Sequence, residues 1–266
     1  MTALIFNGRE YAQKKLAELA ELGRTPALAS LYRSTDPGSA LYTRLKKQTA
    51  LSIGVKFNEH DIAGLAVSEI ITLIKQINAD TAISGILVQK PAGEVDFNPS
   101  EWAKIVMAID SDKDIDGLTP QNLGLLAIGT PKFIPATVKA VLSVIAESGI
   151  KLPGKKVVII GASEILGKPL CMLLTDMGAT VSLLHKLTDS LTNYTQEADL
   201  LISATGFPGL IGETEIKPGA VVIDVGAPKG DIRTEEVMKK AAFLSPVPGG
   251  VGPITIACLL ENLLLK

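Results

Sequence analysis

Residues 155–169, KKVVIIGASEILGKP, narrow the fold more than any other part of the chain. Lys155 and Lys156 lead into Val157, Val158, Ile159 and Ile160, an unbroken β-branched run typical of a parallel strand buried on both faces. Gly161 ends the run. A short Gly/Ser loop follows, and Pro169 suits the first turn of a helix because no N–H is needed there. Residues 170–177 read as an apolar helix stopped by Gly178, and residues 179–184 as a second strand. Strand, glycine loop, helix and strand make a βαβ unit. Its loop gathers backbone N–H groups and a helix N-terminus at one point, which suits a phosphate. The spacing Gly161-x5-Gly167 departs from G-x-G-x-x-G. On that spacing a tight structural turn that binds nothing stays open as well.

At 266 residues, 47% of them hydrophobic, the chain can hold one large domain or two of ordinary size. Twenty-six basic residues against 28 acidic leave a formal charge of −2, a balance that favours neither nucleic acid nor an anionic membrane. Cys171 and Cys258 lie in apolar helical patterns and read as buried thiols of a reducing compartment. His60 and His185 have no cysteine or carboxylate at ligand spacing, which argues against a metal site. The N-terminal residues lack a basic region followed by an apolar one. No apolar run approaches the roughly 18 residues needed to span a bilayer. The expectation is a soluble cytoplasmic protein with no membrane or nucleic-acid partner.

Before residue 110 the chain alternates. Helices are predicted at 7–22, from an N-cap at Ser39 to about Ile53, at 69–78 behind Ser68, and from Asn98 to about Ile109. Strands are predicted at 26–32, 55–61 and 84–89, the last entering a turn at 90–93. Such alternation implies a parallel α/β layer. Residues 111–122, SDKDIDGLTPQN, are polar and turn-rich and read as the passage to a second lobe. That lobe begins with a helix at about 137–148 and contains the βαβ unit. It adds strands at 198–204 and 220–225, several of them ending in glycine, where α/β sheets bind ligands. Residues 244–253, LSPVPGGVGP, are too rich in proline and glycine for regular structure and precede a last helix at 254–265.

Three features of the first half are odd for scaffolding. Ser39-x-x-Tyr42-x-x-x-Lys46 puts Tyr42 and Lys46 four residues apart on one helix face, one step from Leu41 and Leu45. A lysine bordering the buried side would have its pKa lowered and could act as general acid or base. A solvated basic helix, with Arg44 and Lys47 alongside, is the rival reading. Gln89 closes an apolar strand, where an amide can orient a neighbour or a ligand, though a plain surface residue fits equally. Asp112, Asp114 and Asp116 precede Gly117, but a calcium loop would need a glutamate where Leu123 stands. One of these carboxylates binding a ring with N–H donors is the alternative.

The segments SALYTRLK (39–46), SGILVQKP (84–91), DKDIDGLTPQNLG (112–124), VVIIGASEILGKP (157–169), ADLLISATG (198–206), VVIDVG (221–226) and SPVPGGVGPIT (245–255) occur in this order. Together they closely resemble the methylenetetrahydrofolate dehydrogenase/cyclohydrolase family. The resemblance implies a two-lobed α/β protein with a cleft between the lobes. Residues 1–118 plus the returning helix at 254–266 would form a parallel α/β folate-binding lobe. Residues 119–253 would form a Rossmann-like lobe binding NADP, with NAD possible. It also implies a homodimer and a cytoplasmic role in one-carbon metabolism and purine biosynthesis. The implied reactions are oxidation of methylenetetrahydrofolate to methenyltetrahydrofolate, then hydrolysis to formyltetrahydrofolate at the same site. A cyclohydrolase with weak or NAD-dependent dehydrogenase activity is the alternative.

Carried over by position, the resemblance assigns catalysis to Lys46, which handles protons, and to Tyr42, Gln89 and Asp116. Tyr42 would stack near the folate, Gln89 tune the lysine, and Asp116 hold the pterin edge. Gly161, Ala162 and Ser163 would lie under the cofactor phosphates, and Lys186 near the adenosine ribose, where a cation favours a 2′-phosphate. Thr205, Gly206 and Ala227 complete the implied cofactor site, and Pro248, Gly249, Gly250 and Val251 the folate pocket. No metal is implied. The chain departs from the family pattern at Gln89-Lys90-Pro91-Ala92-Gly93, at Pro135-Ala136-Thr137, and in a short segment after Gly226.

Overall fold

The computed structural model describes residues 2–90 and 97–266. In chain order the first elements are β1 (Leu4–Ile5), α1 (Gly8–Ala20), β2 (Ala27–Tyr32), α2 (Pro37–Ser52), β3 (Lys56–Asp61), α3 (Val67–Ala79), β4 (Gly85–Val88), α4 (Pro99–Met107) and α5 (Pro120–Ala127). Then come α6 (Ala136–Ser148), β5 (Lys156–Ile160), α7 (Gly167–Asp176), β6 (Thr180–Leu184), α8 (Thr192–Thr195) and β7 (Leu200–Ser203). The chain ends with β8 (Val221–Asp224), α9 (Thr234–Val237), β9 (Phe243–Ser245) and α10 (Val251–Leu264). Two compact units result. The larger comprises Met1–Lys14, Leu126–Thr130 and Pro135–Cys258; the smaller comprises Lys15–Leu125, Pro131–Ile134 and Leu259–Lys266.

Among the described residues, the smaller unit has a three-stranded parallel sheet in the order β3-β2-β4. β2 is apolar along its buried length apart from Ser30 because it pairs on both edges, whereas β3 carries Lys56, Asn58, Glu59 and Asp61 on an outer edge. Ile70, Ile74 and Ile77 of α3 pack with Trp102, Ile105 and Val106 of α4 over Ala29, Leu31 and Ile86. α4 starts as its sequence predicts: the Asn98 side chain accepts from the Glu101 N–H and the Glu101 side chain from the Asn98 N–H, each at 3.0 Å. Other helix starts differ from expectation. Asp36, not Ser39, caps α2, accepting from the Gly38 N–H at 3.0 Å with Pro37 behind it. Ser39 instead lies buried in the first turn and accepts from the Arg33 N–H at 3.2 Å. Ser68 does not cap α3, which starts two residues earlier than expected, at Val67, and the Glu69 side chain takes the Ala66 N–H at 2.7 Å.

Residues 111–122, expected to be a passage between lobes, are woven into the smaller unit. Asp114 forms an isolated bridge with Ile86, and the Ile86 N–H donates to the Lys113 carbonyl at 2.7 Å. The Lys113 ammonium donates to the carbonyls of Asn78 and Asp80, each at 2.7 Å, satisfying the C-terminal end of α3. Buried Asn262 of α10 donates to the carbonyls of Ile115 and Ile134, each at 2.9 Å. Both carbonyls lose their partner in Asn262→Ala, so urea unfolding should show a loss of about 2–3 kcal/mol. An unchanged midpoint and slope would contradict this.

The larger unit holds a six-stranded, all-parallel sheet among the described residues, in the order β1-β9-β8-β7-β5-β6. The central strands β5, β7 and β8 are near-continuous Val, Ile and Leu because helices cover both faces of such a sheet. The strand pair β1 and β9 is absent from the sequence reading. β1 is too short to show a period, and Leu244 and Ser245, expected to be irregular with the proline-rich residues that follow, form β9 together with Phe243. Residues 251–253, expected to be irregular, already form the first turn of α10, where Pro253 needs no donor.

Candidate active site

In the smaller unit α2 and β4 bring two candidates together. The Lys46 ammonium donates to the Gln89 Oε1 at 2.6 Å. Gln89 is fixed by the strand it closes, its N–H donating to the Leu31 carbonyl at 2.8 Å. Lys46 does border the buried side, but not because Leu41 and Leu45 point inward: they are 51% and 40% exposed. The inward stripe is Ser39, Thr43, Lys46 and Ala50, spaced four, three and four residues apart. Small side chains there let α2 lie close, and the lysine reaches in past them. Burial of the ammonium pushes its pKa below the ordinary 10.5, and the negative charge of Asp116 pulls partly back. Tyr42, one turn before Lys46, is 40% exposed and open to a ligand.

The structure separates the three aspartates. Asp112 is exposed and ion-paired with Lys132 at 2.6 Å. Asp114 is buried and committed to the Thr119 N–H at 2.7 Å and the Asn122 amide at 2.8 Å. Asp116 is the one that acts on Lys46, and it lines a small pocket with Val88, Trp102 and Leu118. A carboxylate beside apolar walls, next to a proton-carrying lysine, can hold a flat ring that offers N–H donors. The Lys90 ammonium sits 5.4 Å from the centroid of the Trp102 ring. Residues 91–93 of the predicted turn, where the chain departs from the family pattern, lie outside the described residues.

In the larger unit Gly161 ends β5 with φ +117°, and a Cβ there would stand 2.4 Å from the Ala204 carbonyl oxygen. A Cβ on Gly167 would come within 1.8 Å of the Gly161 oxygen. The loop 161–167 therefore closes backbone on backbone, which only glycine allows at these two places. Ala162 and Ser163 are half-buried at its crest. The start of α7 offers fewer donors than expected: Pro169 has none, and the Lys168 N–H goes to the Ser163 carbonyl at 3.0 Å.

Lys186 is exposed, two residues beyond the end of β6. Gly206, with φ +70°, brings the turn after β7 against the Ala227 carbonyl, 3.4 Å from where a Cβ would lie, so Thr205, Gly206 and Ala227 meet. Gly249 has φ +97° and accepts the Gly8 N–H at 2.8 Å. Gly250 leaves no room for a side chain, since a Cβ would fall 2.3 Å from the Ser245 Oγ. Val251 is buried at the head of α10 and Pro248 is exposed, so the loop can present Pro248 and backbone but not the Val251 side chain.

Sequence reasoning passed over two buried carboxylates here, Asp224 and Asp231. Asp224 accepts the N–H groups of Gly226 at 2.9 Å and of Asp231 and Ile232, each at 3.1 Å. Burial raises its pKa from 3.8 to about 6, opposed by those N–H groups and assisted by Asp231. A raised pKa means the folded state holds the proton more tightly than the unfolded chain. The stabilisation is full below 3.8 and lost as pH rises through about 6. Carbon-13 NMR of the Asp224 carboxyl should give a midpoint near 6, against 3.8 for a solvated group. The signal that could have exposed Asp224 was a lone carboxylate ending an apolar strand.

Residues 3–116 match the family described as tetrahydrofolate dehydrogenase/cyclohydrolase, catalytic domain, and residues 135–266 its NAD(P)-binding domain. The chain belongs to the tetrahydrofolate dehydrogenase/cyclohydrolase family. Bifunctional protein FolD of Bacillus subtilis is 39% identical, with 98% of this chain and 96% of that protein covered. The bifunctional FolD dehydrogenase/cyclohydrolase of Campylobacter jejuni has a similar structure, with a TM-score of 0.92 and 36% identity over 99% of this chain and 98% of that one. The Trypanosoma brucei enzyme of this family, solved with NADP and an inhibitor, gives a TM-score of 0.93 at 31% identity, covering 99% and 97%. Within this family the Lys46–Gln89 contact and the glycine loop fall in the two matched regions, one in each.

Proposed function

We infer that the protein oxidises methylenetetrahydrofolate to methenyltetrahydrofolate with NADP and then hydrolyses the product to formyltetrahydrofolate. The observation that carries this reading is a half-buried lysine with lowered pKa, hydrogen-bonded to Gln89 and within the field of Asp116, in a chain that also has a tight glycine loop after a buried strand. NADP supplies a hydride acceptor. The crowded Gly161–Gly167 turn fits a dinucleotide, because the two glycines let the loop close backbone on backbone between β5 and α7, where such folds take a pyrophosphate. Lys186 is the cation suited to a 2′-phosphate, while Gly161, Ala162, Ser163, Gly206 and Ala227 supply backbone to the rest of the nucleotide.

In the hydrolysis, water adds to the methenyl carbon, one proton leaves, and a ring nitrogen takes a proton as the C–N bond breaks. Lys46, its pKa lowered by burial, can give and take these protons. Gln89 accepts from the ammonium and so fixes where it points. Asp116 binds the pterin edge and keeps a negative charge beside the lysine. Tyr42 stacks on the folate, and Pro248, Gly249, Gly250 and the backbone of Val251 are further folate contacts. We also propose that the folate half, expected at residues 1–118 with 254–266, is the smaller unit, and that the NADP half, expected at 119–253, is the larger unit, which also takes up residues 1–14 through β1. A homodimer and a cytoplasmic setting in one-carbon metabolism and purine synthesis complete the proposal, and two free cysteines suit a reducing compartment.

The test adds methylenetetrahydrofolate with NADP, or with NAD, and follows the absorbance of methenyltetrahydrofolate. A rise followed by decay is expected with NADP. Decay of added methenyltetrahydrofolate without any rise from either nucleotide would leave a cyclohydrolase alone. No change in either assay would sink the reading.

A further inference from the structure

Asp231 is buried, lies outside the groups assigned to catalysis or to cofactor contact, and gathers three donors on one oxygen. Its Oδ2 accepts from the Ser203 hydroxyl at 2.7 Å, the Thr205 N–H at 2.7 Å and the Thr205 hydroxyl at 2.9 Å. Ser203 ends β7, and Thr205 opens the turn that meets Ala227. The Asp231 N–H in turn donates to Asp224 at the end of β8, directly across from Ser203 in the sheet register. Gly226 also folds against Asp231: a Cβ there would stand 2.5 Å from its Oδ1. One carboxylate thus ties the turn after β7 to the turn after β8, at the strand ends where parallel sheets take their ligands. Thr205 has both its donors spent on Asp231, and its hydroxyl also accepts the Phe207 N–H at 3.0 Å. What Thr205 can offer a nucleotide is therefore its carbonyl, in a place that Asp231 decides.

We propose that Asp231 is a positioning residue for the dinucleotide, holding the Thr205–Gly206 turn and the Gly226–Ala227 turn as one preformed surface. The proposal rests on the reading of the larger unit as the NADP half. Without the tie, both turns must be ordered at the moment of binding, and that ordering is lost from affinity. Charge-assisted bonds to a buried carboxylate are the kind whose loss is felt most.

The test uses the full-length protein with Asp231→Ala and Asp231→Asn. KM and binding for NADP and for NAD are measured beside cyclohydrolase turnover, which is assayed without nucleotide. Asp231→Ala should raise KM for NADP about tenfold or more, with kcat at saturating NADP and cyclohydrolase turnover both little changed. Asp231→Asn keeps an acceptor oxygen and should fall between, at about threefold. If the alanine variant does not fold, the asparagine variant carries the test alone. An unchanged nucleotide KM in the folded variants overturns the proposal. Cyclohydrolase loss in step with the nucleotide defect does so too, since that marks a general structural role. Wild-type protein that binds neither nucleotide would overturn the NADP reading itself, a separate result.

Discussion

Lys46→Met is expected to lower cyclohydrolase turnover by about 10²–10⁴-fold, the range that a positioned acid–base group contributes. NADP affinity should hardly move, because Lys46 and the glycine loop belong to different matched regions of the chain. The case rests on placement and charge together. The ammonium donates to Gln89 at 2.6 Å, its burial favours the neutral amine, and Asp116 restrains that preference. The same variant should be more stable than wild type at pH 7. A lysine whose folded pKa lies below 10.5 binds fewer protons folded than unfolded, so its burial costs stability below the folded value and costs less as pH rises toward 10.5. Thermal unfolding of Lys46→Met against wild type should therefore show a gain at neutral pH that narrows in alkali. Hydrolysis at full rate by this variant would remove Lys46 from the chemistry.

Gly167→Ala should strike the other activity. Its Cβ would lie 1.8 Å from the Gly161 oxygen and 3.2 Å from the Ala162 Cα, and both are backbone atoms. The loop can admit a methyl group only by opening, which moves the surface offered to the cofactor phosphates. A displacement of about an ångström can cost 10²-fold, so kcat/KM for NADP should fall by about that factor. Cyclohydrolase turnover, measured without nucleotide, should survive. Steady-state dehydrogenase rates against NADP concentration check it, and an unchanged kcat/KM would show that the loop does not carry the nucleotide.

The parallel layers were legible because their signal is composition. Val157 to Ile160, the 198–204 run and residues 220–225 are strands buried on both faces, and an unbroken apolar run is their mark. Asn98 with Pro99 marks the start of α4 in the sequence, and the reciprocal cap between Asn98 and Glu101 is what the structure adds. Misreadings arose where two rules competed. Ser39 looked like a cap, but Asp36 with Pro37 is the stronger start signal and lies three residues earlier. Leu41 and Leu45 suggest an apolar inward face on α2, yet that helix packs through Ser39, Thr43 and Ala50, since small residues permit the approach that puts Lys46 at Gln89. β9 hid beside prolines, and β1 was too short for any period to show.

The site was legible as separate motifs, with the relation among them supplied by the fold. Spacing alone left Asp112, Asp114 and Asp116 equivalent. Tertiary contacts divide them into an exposed ion pair, a buried structural acceptor and the partner of Lys46. Asp231 had no signal at all, because its role depends on Ser203 and Thr205, residues 28 and 26 positions earlier.

The most direct measurement is the titration of Lys46 itself, by NMR of protein carrying carbon-13 lysine, with Lys46→Met to assign the resonance. The expected midpoint lies below the ordinary 10.5 and coincides with the alkaline limb of the hydrolysis rate. A midpoint at or above 10.5, with hydrolysis at full rate, would contradict a partly desolvated lysine poised to carry the protons of the reaction.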